Sequence, residues 1–217
     1  MPNPAFLFAA LGLIVLFTLI QLGALQLAFG KLGLDPQAGV TLLFVSLMGS
    51  LVNVPLFRMS AEGPEQPLPE PIRRILSHSQ QPFEGFTTVA VNLGGCLLPM
   101  TFSAYLVMHA GAGLFDYLVA VGFVSAVAYV SSRPVPGLGI GMPVLVAPLA
   151  AAAAGLMLDP EHSPALAYVG GTVGVLIGAD ILRLKDVRKL GSPVASIGGA
   201  GTFDGIFITG ILAVLLA

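Results

Sequence analysis

Long apolar stretches alternate with short polar ones along the whole chain. A stretch of about 20 apolar residues is long enough to cross a bilayer as a helix. Seven such stretches follow one another: residues 5–29, 40–57, 87–108, 114–131, 139–158, 165–182 and 194–217. The pattern predicts an all-α membrane protein of about seven transmembrane helices, some of them interrupted by Gly and Pro. The first stretch has no Lys or Arg before it, and its apolar core exceeds that of a secretory signal, so it reads as a span. Residues 1–217 read as one polytopic membrane domain.

The polar positions between the spans carry an orientation. Arg58, Arg73 and Arg74 follow the second span, Arg133 follows the fourth, and Arg183, Lys185, Arg188 and Lys189 follow the sixth. Only Lys31 falls in an odd-numbered loop. Cytoplasmic loops collect Lys and Arg, so the N-terminus is expected in the cytoplasm and the C-terminus outside. Asp35, Asp116, Asp159 and Glu161 lie in the odd loops, in keeping with that arrangement. The sizeable soluble piece is the loop 58–85, which holds five prolines and four glutamates and reads as an extended cytoplasmic connector.

Composition narrows the class further. Of 217 residues, 56% are hydrophobic and 9% charged, far below the roughly 25% charged residues of a soluble domain. A formal net charge of -2 offers no basic surface to nucleic acid. The single cysteine, Cys96, excludes an internal disulfide and a multi-cysteine metal centre, and three scattered histidines show no metal-ligand spacing. No cofactor motif is visible. The partners expected are the lipid bilayer and either a transmembrane peptide substrate or other membrane subunits; the oligomeric state is open.

Several spans are broken by small residues. Span three contains Asn92, Gly94, Gly95 and then Pro99, and is expected to break or kink between Asn92 and Pro99, with the freed carbonyl near Gly95 met by a neighbouring helix or water. The run from Pro134 to Pro143 reads either as a re-entrant segment or as a cytoplasmic loop. Gly170, Gly174 and Gly178 form a stripe suited to close helix packing, and Gly199, Gly201 and Gly205 cluster in span seven. Gln21, Gln26, Asn53 and Thr209 read as interhelical hydrogen-bond partners. Asn92 is set apart, because the glycine pair beside it opens the backbone to a ligand.

Two carboxylates lie inside apolar sequence, Asp180 and Asp204. A charge at mid-bilayer costs about 2.5–3.5 kcal/mol on insertion scales, so such an acid marks a candidate site. Helix rise places both in the cytoplasmic third of adjacent antiparallel spans, where they could share a proton. The plainer reading of Asp180 is a snorkelling partner for Arg183 or Lys185. Asp204 has no basic residue within helical reach.

The segments Asn92-Leu93-Gly94-Gly95, Arg133-Pro134-Val135-Pro136-Gly137, Gly178-Ala179-Asp180 and Ser196 to Phe207 resemble a prokaryotic family of multi-pass membrane proteins catalogued as domain of unknown function 1614. The resemblance implies a seven-span body in the inner (plasma) membrane and brings no activity with it. The order and orientation of Asp180 and Asp204 also resemble the arrangement in presenilin-type intramembrane aspartyl proteases. Here, however, Thr202 and Phe203 separate Gly201 from Asp204, no Tyr precedes Asp180, and Pro164-Ala165-Leu166 lies at the opposite end of span six. Three readings follow. The acids activate water as an intramembrane protease, with Gly94, Gly95, Gly199, Gly201 and Gly205 letting an extended substrate approach the backbone, whereas Asn92 and the broken segment near Gly139 would line the path of a transporter. Alternatively Asp204 is the relay of a proton- or cation-coupled transporter or channel. In the third, the chain is a structural subunit of a membrane complex.

Overall fold

The computed structural model describes residues 21–62, 85–135, 139–189, 191–199 and 205–217. Helix α1 (Gln21–Lys31) and helix α2 (Pro36–Gly49) are bent 111° to each other across a tight turn. Gly33 takes the left-handed conformation there (φ +77°), and the Asp35 carboxylate caps α2 by accepting from the Gln37 and Ala38 N–H groups, each at 2.9 Å. Residues 5–20 of the first expected span lie outside the described residues.

After Gly49 the second expected span stops being a helix. Ser50 and Asn53 carry polar groups that compete with the helical ladder, and Pro55 has no N–H to give it. Residues Asn53–Ser60 instead form strand β1, antiparallel to β2 (Phe86–Asn92), from the pair Asn53↔Asn92 to the pair Ser60↔Phe86. Pro55 is tolerated because β1 is an edge strand, and the register shifts between Pro55 and Phe57. Strand β5 (Val194–Ile197) adds to β2 in parallel, giving the order β1-β2-β5. The first residues of expected spans three and seven are therefore strands, rich in the Val, Ile and Thr that suit a pleated surface. The all-α expectation is corrected to a mostly helical fold with a three-stranded sheet.

Span three becomes a helix only after Asn92. Residues Leu93–Leu97 form a π-helical turn, with the Leu98 N–H reaching back five residues to the Leu93 carbonyl, and lead into α3 (Leu98–His109). Pro99 stands in the first turn of α3, where its missing N–H costs nothing, so the expected break is present as the passage from strand through π turn to helix start. The carbonyl of Gly94, beside the break, accepts from the Ser46 hydroxyl of α2 at 2.7 Å.

Helix α4 (Leu114–Ser131) coincides with the fourth expected span. The Pro/Gly run that follows carries two short strands. Strands β3 (Arg133–Val135) and β4 (Gly139–Gly141) pair as an antiparallel hairpin. Helix α5 (Val146–Leu158) is shorter than the stretch 139–158. Helix α6 (Ser163–Val175) continues through a π-helical segment, Leu176–Ile181. Helix α7 (Gly205–Leu216) ends the described chain.

By length and apolarity, α4 and the α6 segment Ser163–Ile181 can each cross a membrane, and α1 with α2 could form a third, broken span. Helices α2, α3, α5 and α7 have 12–14 residues and so rise about 18–21 Å, less than a hydrocarbon core of about 30 Å.

Helix α6 is the centre of the fold, with 72% of its span buried. Small residues let its neighbours reach it. A Cβ on Gly170 would touch Ala120, one on Gly174 would lie 2.7 Å from Val124 Cβ, and one on Gly178 would collide with the Ser125 carbonyl. The stripe is thus the packing surface for α4. On the α7 side, Gly171 meets Thr209, and Gly210 meets Thr172 and Tyr168.

The connections gather at two ends. The sheet, the β3–β4 hairpin and the 3-10 turn Asp186–Lys189 share one end, where the Glu62 N–H donates to the Arg188 carbonyl. The α1–α2 and α5–α6 connections and the last turn of α7 share the other, where Lys31 donates to the Val214 carbonyl and Ser163 to the Ala217 carbonyl.

Gly174→Val should force α4 and α6 apart at a cost of about 1–3 kcal/mol, seen as a lower thermal midpoint in detergent. Gly122→Ala, where a Cβ meets nothing, should leave the midpoint unchanged or raise it. Equal midpoints for the two variants would contradict close packing at Gly174.

Candidate functional site

The sequence-nominated residues at the sheet end build a dense polar knot. Asn92 ends β2, is fully buried and is the N-cap of the π turn. Its Oδ1 accepts from the Gly95 N–H at 2.7 Å, and its Nδ2 donates to the Ser50 carbonyl at 2.7 Å and to Asn53 Oδ1 at 3.1 Å. The Ser196 hydroxyl, on β5, donates to the same Asn53 oxygen. One amide thus joins the end of α2, the start of β1 and the π turn, and through Asn53 reaches β5.

Gly94 and Gly95 are what allow these backbones to meet. A Cβ on Gly94 would overlap the Ser46 carbonyl of α2, and one on Gly95 would overlap the Gly198 carbonyl. Gly198 and Gly199 turn the chain out of β5 in the left-handed conformation, at φ +83° and +87°, which only glycine adopts cheaply. Asn92, Gly94 and Gly95 are thereby committed to internal contacts. The expected roles of Gly201 and Asp204 fall outside the described residues, and Gly205 is the first residue of α7.

Asp180 lies in the π-helical segment that closes α6, with one carboxylate oxygen fully buried. A π segment widens a helix by one residue per turn and often marks a functional position. Arg183, weighed from the sequence as a snorkelling partner of Asp180, is engaged elsewhere. Its guanidinium donates to the Tyr129 carbonyl at 2.7 Å, the Ser132 carbonyl at 2.9 Å and the Ser132 hydroxyl at 3.3 Å, and pairs with Asp186 at 3.0 Å. It also stacks over the Tyr129 ring, 4.3 Å from the centroid. Arg183 thus caps the C-terminal carbonyls of α4, which no helical N–H can reach.

Cys96, Val124, Ala128, Leu176, Ala179 and Ile206 share one buried apolar cluster, with Ile197 and Val91 packed against it. The π turn after Asn92, the π segment bearing Asp180, the end of β5 and the start of α7 therefore converge on one place. These segments carry the motifs that stand out in the sequence, and residues 47–216 match the family described as "Protein of unknown function (DUF1614)". The chain belongs to that family. No curated protein and no solved structure matches the chain. Membership of the DUF1614 family together with the apolar helices makes this a membrane-associated helical protein.

Sequence reasoning missed the partners that hold the knot. Gly49 and Ser50 follow Ser46 by three and four residues at the end of α2, a small-residue face that reads as a close-approach surface. Asn53 was taken for a membrane hydrogen-bonding group and proves to be a sheet residue bridging Asn92 and Ser196.

Asn92→Ala should strand the Gly95 N–H and the Ser50 carbonyl in a dry site, costing about 2 kcal/mol or more in unfolding free energy measured in mixed detergent micelles. A variant as stable as the parent would mean that water replaces the amide.

Proposed function

We propose that this DUF1614 protein is an integral protein of a prokaryotic plasma membrane in which Asp180 and Asp204 form an acid pair that hydrolyses peptide bonds. The observation that carries the reading is the register of α6 against α7. Gly171 lies against Thr209, and Ser163 bonds to Ala217, so the helices run antiparallel with a fixed offset. Four residues back from Thr209 is Gly205, level with Val175, and Asp204 is bonded directly to Gly205. Asp180 stands five residues past Val175, about 7 Å of helix rise, so the first residue of α7 lies a little over one helical turn from the level of Asp180.

In this reading the chemistry comes from two neighbouring carboxyl groups. Two like charges that close cannot both ionise, so one group keeps its proton. The ionised carboxylate takes a proton from water, and the water oxygen adds to the peptide carbonyl carbon. The protonated partner gives its proton to the carbonyl oxygen. Collapse of the tetrahedral adduct breaks the C–N bond: the nitrogen leaves with a proton from the first acid, and one hydroxyl of the adduct returns a proton to the partner carboxylate as the new carboxylic acid forms.

The orientation belongs to the same reading: the sheet end faces the cytoplasm, and thiol labelling of a Lys185→Cys variant should occur from that side alone. Asp180→Asn and Asp204→Asn should each insert and fold, yet each lower cleavage of a reporter transmembrane peptide in proteoliposomes at least ~100-fold. Cleavage surviving in Asp180→Asn would sink the pair. Proton flux lost in Asp204→Asn alone would hand the function to the relay.

A further inference from the structure

A cavity of about 270 Å³ lies at the end remote from the sheet, lined among others by Lys31, Gly33, Tyr105, His109, Glu161 and His162. Its two imidazoles are both anchored through Nδ1. That of His109 lies 2.9 Å from the Tyr105 carbonyl, and that of His162 lies 2.7 Å from the Asp159 carboxylate. Both partners only accept, so Nδ1 carries a hydrogen in each ring and Nε2 is the nitrogen left for another group. The His162 bond, aided by backbone N–H groups of residues 161 and 162, holds the Asp159 carboxyl below the usual carboxylate range, which keeps this acceptor ionised. Gly111, at φ +88°, leaves room beside His162 Nε2, where a Cβ would come within 3.0 Å. The Tyr105 and His109 rings stack at 4.4 Å and form one wall.

The cavity carries one fixed charge of each sign. The Lys31 ammonium spends one donor on the Val214 carbonyl, 3.3 Å away, and an ammonium has three. Glu161 contributes a carboxylate. The C-terminal ends of α1 and α3 add partial negative charge, and the N-terminal turn of α6, through Pro164 and Ala165, adds partial positive charge, so the cavity offers ends of both signs. A ligand of one sign would meet repulsion from one of the two fixed charges. Among the described residues no group of three His, Cys, Asp or Glu side chains could hold a metal ion.

We propose that this cavity binds a zwitterionic group that pairs a primary ammonium with an acidic oxygen anion, as an ethanolamine phosphate does. The ammonium donates to the two Nε2 atoms and to Glu161, and the anionic oxygens accept from Lys31. Met108 and Phe115, 77% and 73% exposed on the neighbouring helices, put the cavity beside lipid-facing surface, so the group can arrive on a lipid or in solution. The site stands independently of the acid pair, at the opposite end of α6.

Glycerophosphoethanolamine, titrated into the full chain in detergent, is the soluble probe. Native mass spectrometry after exchange from mixed ethanolamine and choline phospholipids is the lipid arm. Glycerophosphoethanolamine should bind, and Lys31→Gln and Glu161→Gln should each weaken it at least ~10-fold, while Lys31→Arg, which keeps charge and donors, should retain it. Retention of the ethanolamine lipid over the choline lipid, whose quaternary nitrogen has no N–H, assigns the source to lipid. Binding of the soluble probe without lipid retention assigns it to a soluble zwitterion. Absence of binding in both arms, or binding unchanged in both Gln variants, overturns the proposal.

Discussion

The buried side chain of Asn92 is the constraint on which the sheet end depends. Its amide has one acceptor and two donors, and all three are used within the protein. By capping the π turn it lets a strand become a helix inside apolar surroundings, where an unpaired backbone group costs several kcal/mol. The cap works only because Gly94 and Gly95 lack side chains. With any Cβ there, the α2 backbone and the Gly198 carbonyl could not approach, and β5 could not deliver the chain toward α7. Sheet, π turn and acid-bearing segment are therefore one mechanical unit.

Helix α6 carries this unit through the apolar part of the fold. Its glycines on one side receive α4, and its contacts with Thr209 and Gly210 on the other fix the level of α7. Arg183 then locks the end of α4 to the turn after Asp180 through two carbonyls, a hydroxyl and the Tyr129 ring. Because that guanidinium also pairs with Asp186, the local positive charge is directed to the helix end and the surface. Asp180 remains on the interior side of the same turn, with a fully buried oxygen.

Much of the helical skeleton was legible in the sequence. Helix α4 runs from Leu114 to Ser131 as its hydropathy predicts, and each of the seven described helices falls largely within one expected span. What hydropathy could not separate was strand from helix inside the apolar stretches. A buried strand such as Phe86–Asn92 is as apolar as the helix it feeds, and both read as one span. The signals that distinguish them are local: Pro55 after Asn53, the Thr and Val run 87–91, and glycine pairs directly after a strand. Gly94 and Gly95 were legible as a break, but as a bend in a helix. The glycine stripe of α6 was read as packing, and it is packing. The part played by Ser46 and Ser50 was not legible, because their partners are far away in sequence.

The antiparallel register of α6 against the start of α7 is the geometric basis for an acid pair, and cross-linking tests it directly. In a Cys96→Ser background, Asp180→Cys with Asp204→Cys should react with a short bis-methanethiosulfonate in the membrane as fast as a Gly171→Cys with Thr209→Cys control. A control pair that cross-links while the 180–204 pair does not would contradict the account.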